Sequence, residues 1–204
     1  MRLATLAALV PLLAAPALAQ SQQAVPTALS CDGPFAKDSD HARIVKTFGA
    51  ANVKFMKIPG PEGSELQATV VYEKDAKRRL DITWINEKAR RIPNVIVREE
   101  GSTWKTADGI GLETPLVEIE KLNGKPFKLS GFEWDMGGYV MDLQGGALAK
   151  RAGGCRLGLR FAPGPKAPES ALTKVAGDRT FASTDPNMRA ARPVVSEISL
   201  HWPR

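Results

Sequence analysis

Alternation of apolar and polar residues at a period of two, repeated along the chain, constrains its fold more than any other feature. Leu66, Ala68, Val70 and Tyr72 alternate with Gln67, Thr69, Val71 and Glu73; Leu80, Ile82 and Trp84 alternate with Asp81 and Thr83. Cys155, Leu157, Leu159 and Phe161 alternate with Arg156, Gly158 and Arg160. Successive side chains of a strand point to opposite faces, so each run reads as an antiparallel strand with one face buried. Residues 194–204 continue the theme, Val194, Ser196, Ile198, Leu200 and Trp202 facing one way and Val195, Glu197, Ser199 and His201 the other, and are expected to form a C-terminal strand that completes a sheet.

Helix signals interrupt the strand runs twice, in the same order. Ser39 can cap a helix that carries Ile44, Val45 and Phe48 on one face and stops at Gly49, followed by strand-like runs over 52–58, 65–73 and 79–86. Asn94 to Arg98 can supply a further strand. Thr114 and Pro115 open a second helix with Leu116, Ile119 and Leu122 on one face and Asn123-Gly124 as its stop. Strand-like runs over 126–134, 138–143 and 155–161 follow, joined by glycine-rich turns. The expected architecture is α+β: a first αβββ unit over 35–100 and a second over 104–162, with antiparallel sheet and short helices packed on it. Residues 163–193 read as a proline-rich loop and an irregular segment, in which Leu172 and Val175 can carry one or two helical turns.

The N-terminus predicts export. Arg2, the apolar run Leu3 to Leu13 and Ala17-Leu18-Ala19 before Gln20 have the charge, length and small-residue pattern of a signal peptide over 1–19, leaving 20–34 as a flexible leader. A periplasmic or secreted location is expected, and no other apolar run approaches the roughly 20 residues of a membrane span. In that oxidising setting the two cysteines, Cys31 and Cys155, predict one disulfide. Neither belongs to a Cys-x-x-Cys or has a histidine beside it, so no metal site and no cofactor are expected.

The stretch from Trp104-Lys105-Thr106 through Gly109-Ile110-Gly111-Leu112, then Leu116-Val117-Glu118-Ile119-Glu120-Lys121-Leu122-Asn123-Gly124-Lys125-Pro126-Phe127 and Gly131-Phe132-Glu133-Trp134-Asp135-Met136-Gly137-Gly138, resembles a family of uncharacterised exported bacterial proteins. The resemblance covers about a fifth of the chain and implies export without an activity. In pattern alone, a helix ending in Phe48-Gly49 or Asn123-Gly124 before a β-meander is similar to the tandem units of the β-lactamase inhibitory protein and to the small lipoprotein of the barrel-assembly machine. No binding residue of either carries over, and fold likeness does not fix function.

Catalytic signatures are missing. The two histidines, His41 and His201, have no partner at metal-ligand spacing, and no Gly-x-Ser-x-Gly turn is present. Glu118, Glu120 and Asp135 are acids that a hydrolase acting on envelope material could pair, but no spacing rule joins them. The expectation is therefore a non-catalytic binding or accessory module of the envelope, with a metal-independent hydrolase as the alternative. Its partner would be an envelope protein or an anionic envelope polymer, not nucleic acid.

Two surfaces compete as the binding site. Residues 74–98 carry eight cations against three carboxylates on a chain of net charge +6. Yet Arg78 and Arg79 precede the run 80–85 and Arg90 and Arg91 follow it, so the two clusters emerge about 20 Å apart and cannot share one phosphate pocket. Trp134, Asp135 and Tyr139 form the second candidate, an aromatic and acidic turn suited to a sugar ring or a partner's basic residue, although Trp134 also fits a core position. Specificity is expected from this turn, and long-range encounter from the basic loops.

Overall fold

A six-stranded antiparallel sheet, buried on one face, is built from nearly all of the alternating runs. The computed structural model describes residues 28–203, so the expected signal peptide lies outside the described residues. After a two-residue strand β1 (Ala28–Leu29) and helix α1 (His41–Phe48) come β2 (Val53–Pro59), β3 (Glu65–Val71), β4 (Leu80–Asn86) and β5 (Arg91–Val97). Strand β6 (Lys105–Thr106), helix α2 (Leu116–Asn123), β7 (Lys128–Ser130), β8 (Val140–Asp142) and β9 (Arg156–Ala162) follow. The chain ends with α3 (Glu169–Val175), β10 (Thr180–Ala182), α4 (Pro186–Ala190) and β11 (Val194–His201).

The main sheet has the order β2-β3-β4-β5-β11-β9, a second sheet the order β10-β7-β8, and β1 pairs in parallel with β6. Leu80, Ile82 and Trp84 from β4, Val95 and Val97 from β5, Leu157, Leu159 and Phe161 from β9, and Ile198 and Leu200 from β11 share one core with Ile44, Phe48, Leu116 and Ile119 of the first two helices. The α+β class holds, and β4, β5, β9 and β11 each give one face to the helix-covered core. In β3 the expected face is reversed, Val71 joining this core while Ala68 and Val70 form a separate buried cluster with Ile58 of β2.

Several elements differ from the sequence expectation. The first helix is followed by four strands, and the three strands after the second helix divide between two sheets, β7 and β8 pairing with β10 while β9 joins the main sheet. The run 126–134 is strand only over Lys128–Ser130, because Gly131 to Gly138 turn the chain back. Residues 163–193 hold α3, β10 and α4, anchored by buried Ala171, Val175, Met188 and Ala191. The leader is loose over no part of 28–34: Leu29 and Cys31 are buried and β1 is hydrogen-bonded to β6. Asp40, not Ser39, caps α1, accepting from the Arg43 N–H at 2.8 Å, and Pro115 stands at the cap of α2 with Thr114 bonded back to Gly111. Within β11 a bulge between Val195 and Glu197 shifts the register, so Val195 shares the buried face with Ile198 although strict alternation places them on opposite faces.

Cys31 and Cys155 are disulfide-bonded across 124 residues, fastening the segment after β1 to the residue before β9. Replacing both with serine is expected to lower unfolding stability by about 2–5 kcal/mol in denaturant titrations, the range for bridges that close long loops. On the sheet face opposite the core, Asp81 is 2% exposed and held by Arg79 at 2.9 Å and Arg98 at 3.0 Å. Asp81→Asn leaves the Arg98 guanidinium without its anion and Arg79 with Glu99 alone, at 3.5 Å. Because each arginine keeps some solvent, the expected loss is roughly 2–3 kcal/mol, below that of a fully buried pair.

Candidate functional site

The basic loops do not converge. Strand β4 stands between them, with Arg78 and Arg79 before its first residue and Arg90 and Arg91 after its last. Most of these cations are engaged within the protein. Arg78 stacks over the Tyr72 ring at 4.2 Å and donates to Asp75 at 2.7 Å, holding that carboxyl below the usual range. Arg79 pairs with Asp81 and, at 3.5 Å, with Glu99. Arg90 lies over the Phe55 ring at 4.9 Å. Arg91 is exposed and opens β5 opposite Asn86. Such a surface shapes the long-range field, and a cavity it borders sets the Glu73 and Asp75 carboxylates beside Lys54, Lys74 and Arg78, a lining of mixed charge.

The turn from Gly131 to Tyr139 is built differently. Gly138 makes it possible: a Cβ there would lie 2.0 Å from the Phe161 carbonyl oxygen, so only glycine lets the turn pack onto β9. The Phe161 N–H donates to the Gly138 carbonyl at 2.8 Å, and Tyr139 bridges to Arg160 in antiparallel fashion. The Trp134 indole N–H donates to the Gly131 carbonyl at 3.0 Å, so Trp134 is partly buried and closes the turn.

Arg160 organises this turn. Its Nε donates to the Gly137 carbonyl at 2.8 Å, its Nη2 to the Asp135 carbonyl at 3.2 Å, and its guanidinium lies 4.8 Å from the centre of the Tyr139 ring. The Tyr139 hydroxyl donates to Glu197 Oε1 at 3.3 Å, and Glu197 stands opposite Arg160 in the β9–β11 pairing. Burial lifts the Glu197 carboxyl above the ordinary range, opposed by Arg98 and Arg160. Burial also raises Tyr139, with Glu197 adding to the shift. Glu133, Asp135 and Met136 remain exposed at the tip.

Of the site residues expected from sequence, the structure brings Trp134, Asp135 and Tyr139 onto one turn and keeps the Arg78–Arg79 and Arg90–Arg91 clusters at opposite ends of β4. Arg160 and Glu197 were missed as site residues. Their only signal was the outward position each takes in its alternating run, and the pairing that joins them to Tyr139 is non-local. The acids Glu118, Glu120 and Asp135 share no hydrogen-bond partner among the described residues, and Glu120 is taken up by Arg189 at 2.6 Å and by Ser183.

The histidines stand apart, His41 at the first turn of α1 against β3 and His201 at the end of β11. His41 Nδ1 lies 2.8 Å from Thr69 Oγ1, which also accepts from the Trp84 indole at 3.0 Å. Burial pushes both His41 and His201 below the ordinary imidazole range, helped by Arg90 and Arg156 respectively. Among the described residues no group of three or more His, Cys, Asp or Glu could hold a metal ion, and no helix is long and apolar enough to cross a membrane. No family model, curated protein or solved structure matches the chain.

The lifted Glu197 sets a pH dependence. In the folded state its proton is held to higher pH than in the unfolded chain, so the stability it contributes is fully present below the ordinary carboxylate value of 4.5 and is lost as pH rises through the raised native value. Glu197→Gln cannot ionise. Its stability relative to wild type is expected to climb between about pH 4 and pH 7, read from denaturant melts at the two values.

Proposed function

We propose that this protein is an exported, non-catalytic binding module that grips a folded envelope protein through the turn from Gly131 to Tyr139. The observation that carries this reading is Arg160, whose single guanidinium fixes two carbonyls of the turn and stacks against Tyr139. A turn ordered before its partner arrives loses little conformational entropy on binding. The exported location is supported by the disulfide and by the N-terminal pattern.

The tip's chemistry defines the partner. Met136 is 47% exposed, directly after Asp135 and three residues after Glu133, both also exposed. A flexible thioether accommodates an irregular apolar surface, and flanking acids select one rimmed by lysine or arginine. Glu133 has a φ of 62°, a conformation that costs a non-glycine residue about 1 kcal/mol or more, as befits a segment held for contact and not for its own stability. The basic loops at 74–79 and 88–91 then serve encounter with the anionic envelope, an attraction that salt screens. The hydrolase alternative is weaker, because Glu120 is engaged by Arg189 and shares no hydrogen-bond partner with Glu118 or Asp135 among the described residues, and the two histidines stand apart, on α1 and on β11.

Capture from envelope extract on the immobilised, oxidised protein tests this reading. Asp135→Lys with Met136→Lys, both at exposed positions, is expected to lower recovery of a captured protein at least tenfold. Arg90→Gln with Arg91→Gln should leave recovery at 0.5 M salt within about twofold of wild type, since screened loop charge adds little. A captured protein that survives the tip substitutions and is lost on neutralising the arginines overturns the assignment of the turn. Reproducible hydrolysis of an envelope substrate, abolished by Asp135→Asn, overturns the non-catalytic reading.

A further inference from the structure

A second site lies away from the turn, where the start of α2 meets the segments around Gly164 and Pro193. Val117 of α2 is 46% exposed although apolar, and with Pro115, Pro165, Pro193 and Val194 it lines an open cavity of about 380 Å³ whose walls are predominantly carbon. Gly164 shapes it: a Cβ there would lie 2.3 Å from the Arg192 carbonyl oxygen, so glycine alone lets the two segments close together. Lys166 and Arg192 stand exposed on the rim, and neither makes an ion pair among the described residues. Arg189, the third cation of the lining, is committed to Glu120 and to the Ser183 carbonyl.

We infer that this cavity binds the acyl chain of a fatty acid, with Arg192 and Lys166 holding its carboxylate at the rim. Two observations select this occupant. The first is charge: an apolar floor beneath two unpaired cations matches an anion with a hydrocarbon tail, and a compact carboxylate suits a lining with few polar atoms for a larger headgroup. The second is the supply of backbone donors. Pro115, Pro165 and Pro193 have no N–H, and the N–H groups of Leu116, Gly164, Arg189 and Arg192 are bonded to Pro193, Ala191, Asp185 and Arg189. With few N–H groups open besides those of Val117 and Lys166, a peptide laid here would leave most of its carbonyls unpaired, whereas an acyl chain has none to satisfy.

Calorimetric titration of the disulfide-intact protein with dodecanoate below its micellar concentration tests the inference. Saturable 1:1 binding is expected, weakening about threefold to fourfold for each methylene removed towards octanoate. Lys166→Gln with Arg192→Gln should weaken dodecanoate about tenfold and leave dodecanol unchanged. Val117→Glu, at an exposed position, should weaken both, with an unchanged melting temperature showing that the fold is intact. Tyr139→Ala should leave dodecanoate binding as in wild type, which separates this site from the turn. Absence of saturable binding, equal affinity for dodecanoate and dodecanol, or tighter binding of a lysophospholipid or of an apolar peptide with a free C-terminal carboxylate overturns the inference.

Discussion

Strand β11 is hydrogen-bonded on both sides, to β5 and to β9, and the main sheet depends on that position. Without it, β5 and β9 would present unpaired backbone groups next to the core, and Val195, Ile198 and Leu200 would be missing from the buried face. The last strand made is therefore the one that joins the two halves of the sheet. Its neighbours reinforce it: the Trp202 indole just after β11 donates to the Phe35 carbonyl at 3.2 Å, four residues from Cys31, which is bonded to Cys155. Such long-range closure costs loop entropy before it rewards contact, and the disulfide reduces that cost in the unfolded chain.

The local parts of this architecture were legible because short-range physics decides them. Leu80, Ile82 and Trp84 are buried together in β4 as alternation requires, and Gly49 and Gly124 end the helices where an apolar face runs out. What was not legible depends on which strand pairs with which. Sequence order alone groups β7, β8 and β9 as one meander, yet glycine contacts and the turn at 131–138 divert the first two to β10. The bulge in β11 is a second case: Ser196 looks like a small inward residue, but the pairing with β9 skips it and gives its place to Val195. Residues 163–193 carry little periodicity, so their helices follow from burial of Ala171, Val175 and Met188 and not from pattern.

The candidate site divides in the same way. Trp134, Asp135 and Tyr139 stand out because aromatic, acidic and glycine residues crowd one short stretch. Arg160 and Glu197 lie 21 and 58 residues beyond Tyr139 and reach it only through the β9–β11 pairing. Charge counting meets a different limit. The cluster over 74–98 is conspicuous in sequence, whereas Arg78, Arg79 and Arg90 are spent on Asp75, on Asp81 and on an aromatic ring.

Availability, rather than charge itself, separates the cations that build this protein from those that can meet a ligand. A guanidinium already bonded to a carboxylate must break that bond before it binds another anion, so its net gain is small. Arg79, Arg98 and Arg189 are of this kind, and Arg160 is tied to backbone carbonyls. Lys166 and Arg192 carry no such commitment and border an apolar cavity, where lowered polarity strengthens a new ion pair. At the turn the logic is reversed in sign: Arg160 is consumed in holding the backbone, which leaves the carboxylates of Glu133 and Asp135 as the charges on offer. The same residue type thus makes one surface acidic by staying hidden and another basic by staying free, and a chain of net charge +6 can present both.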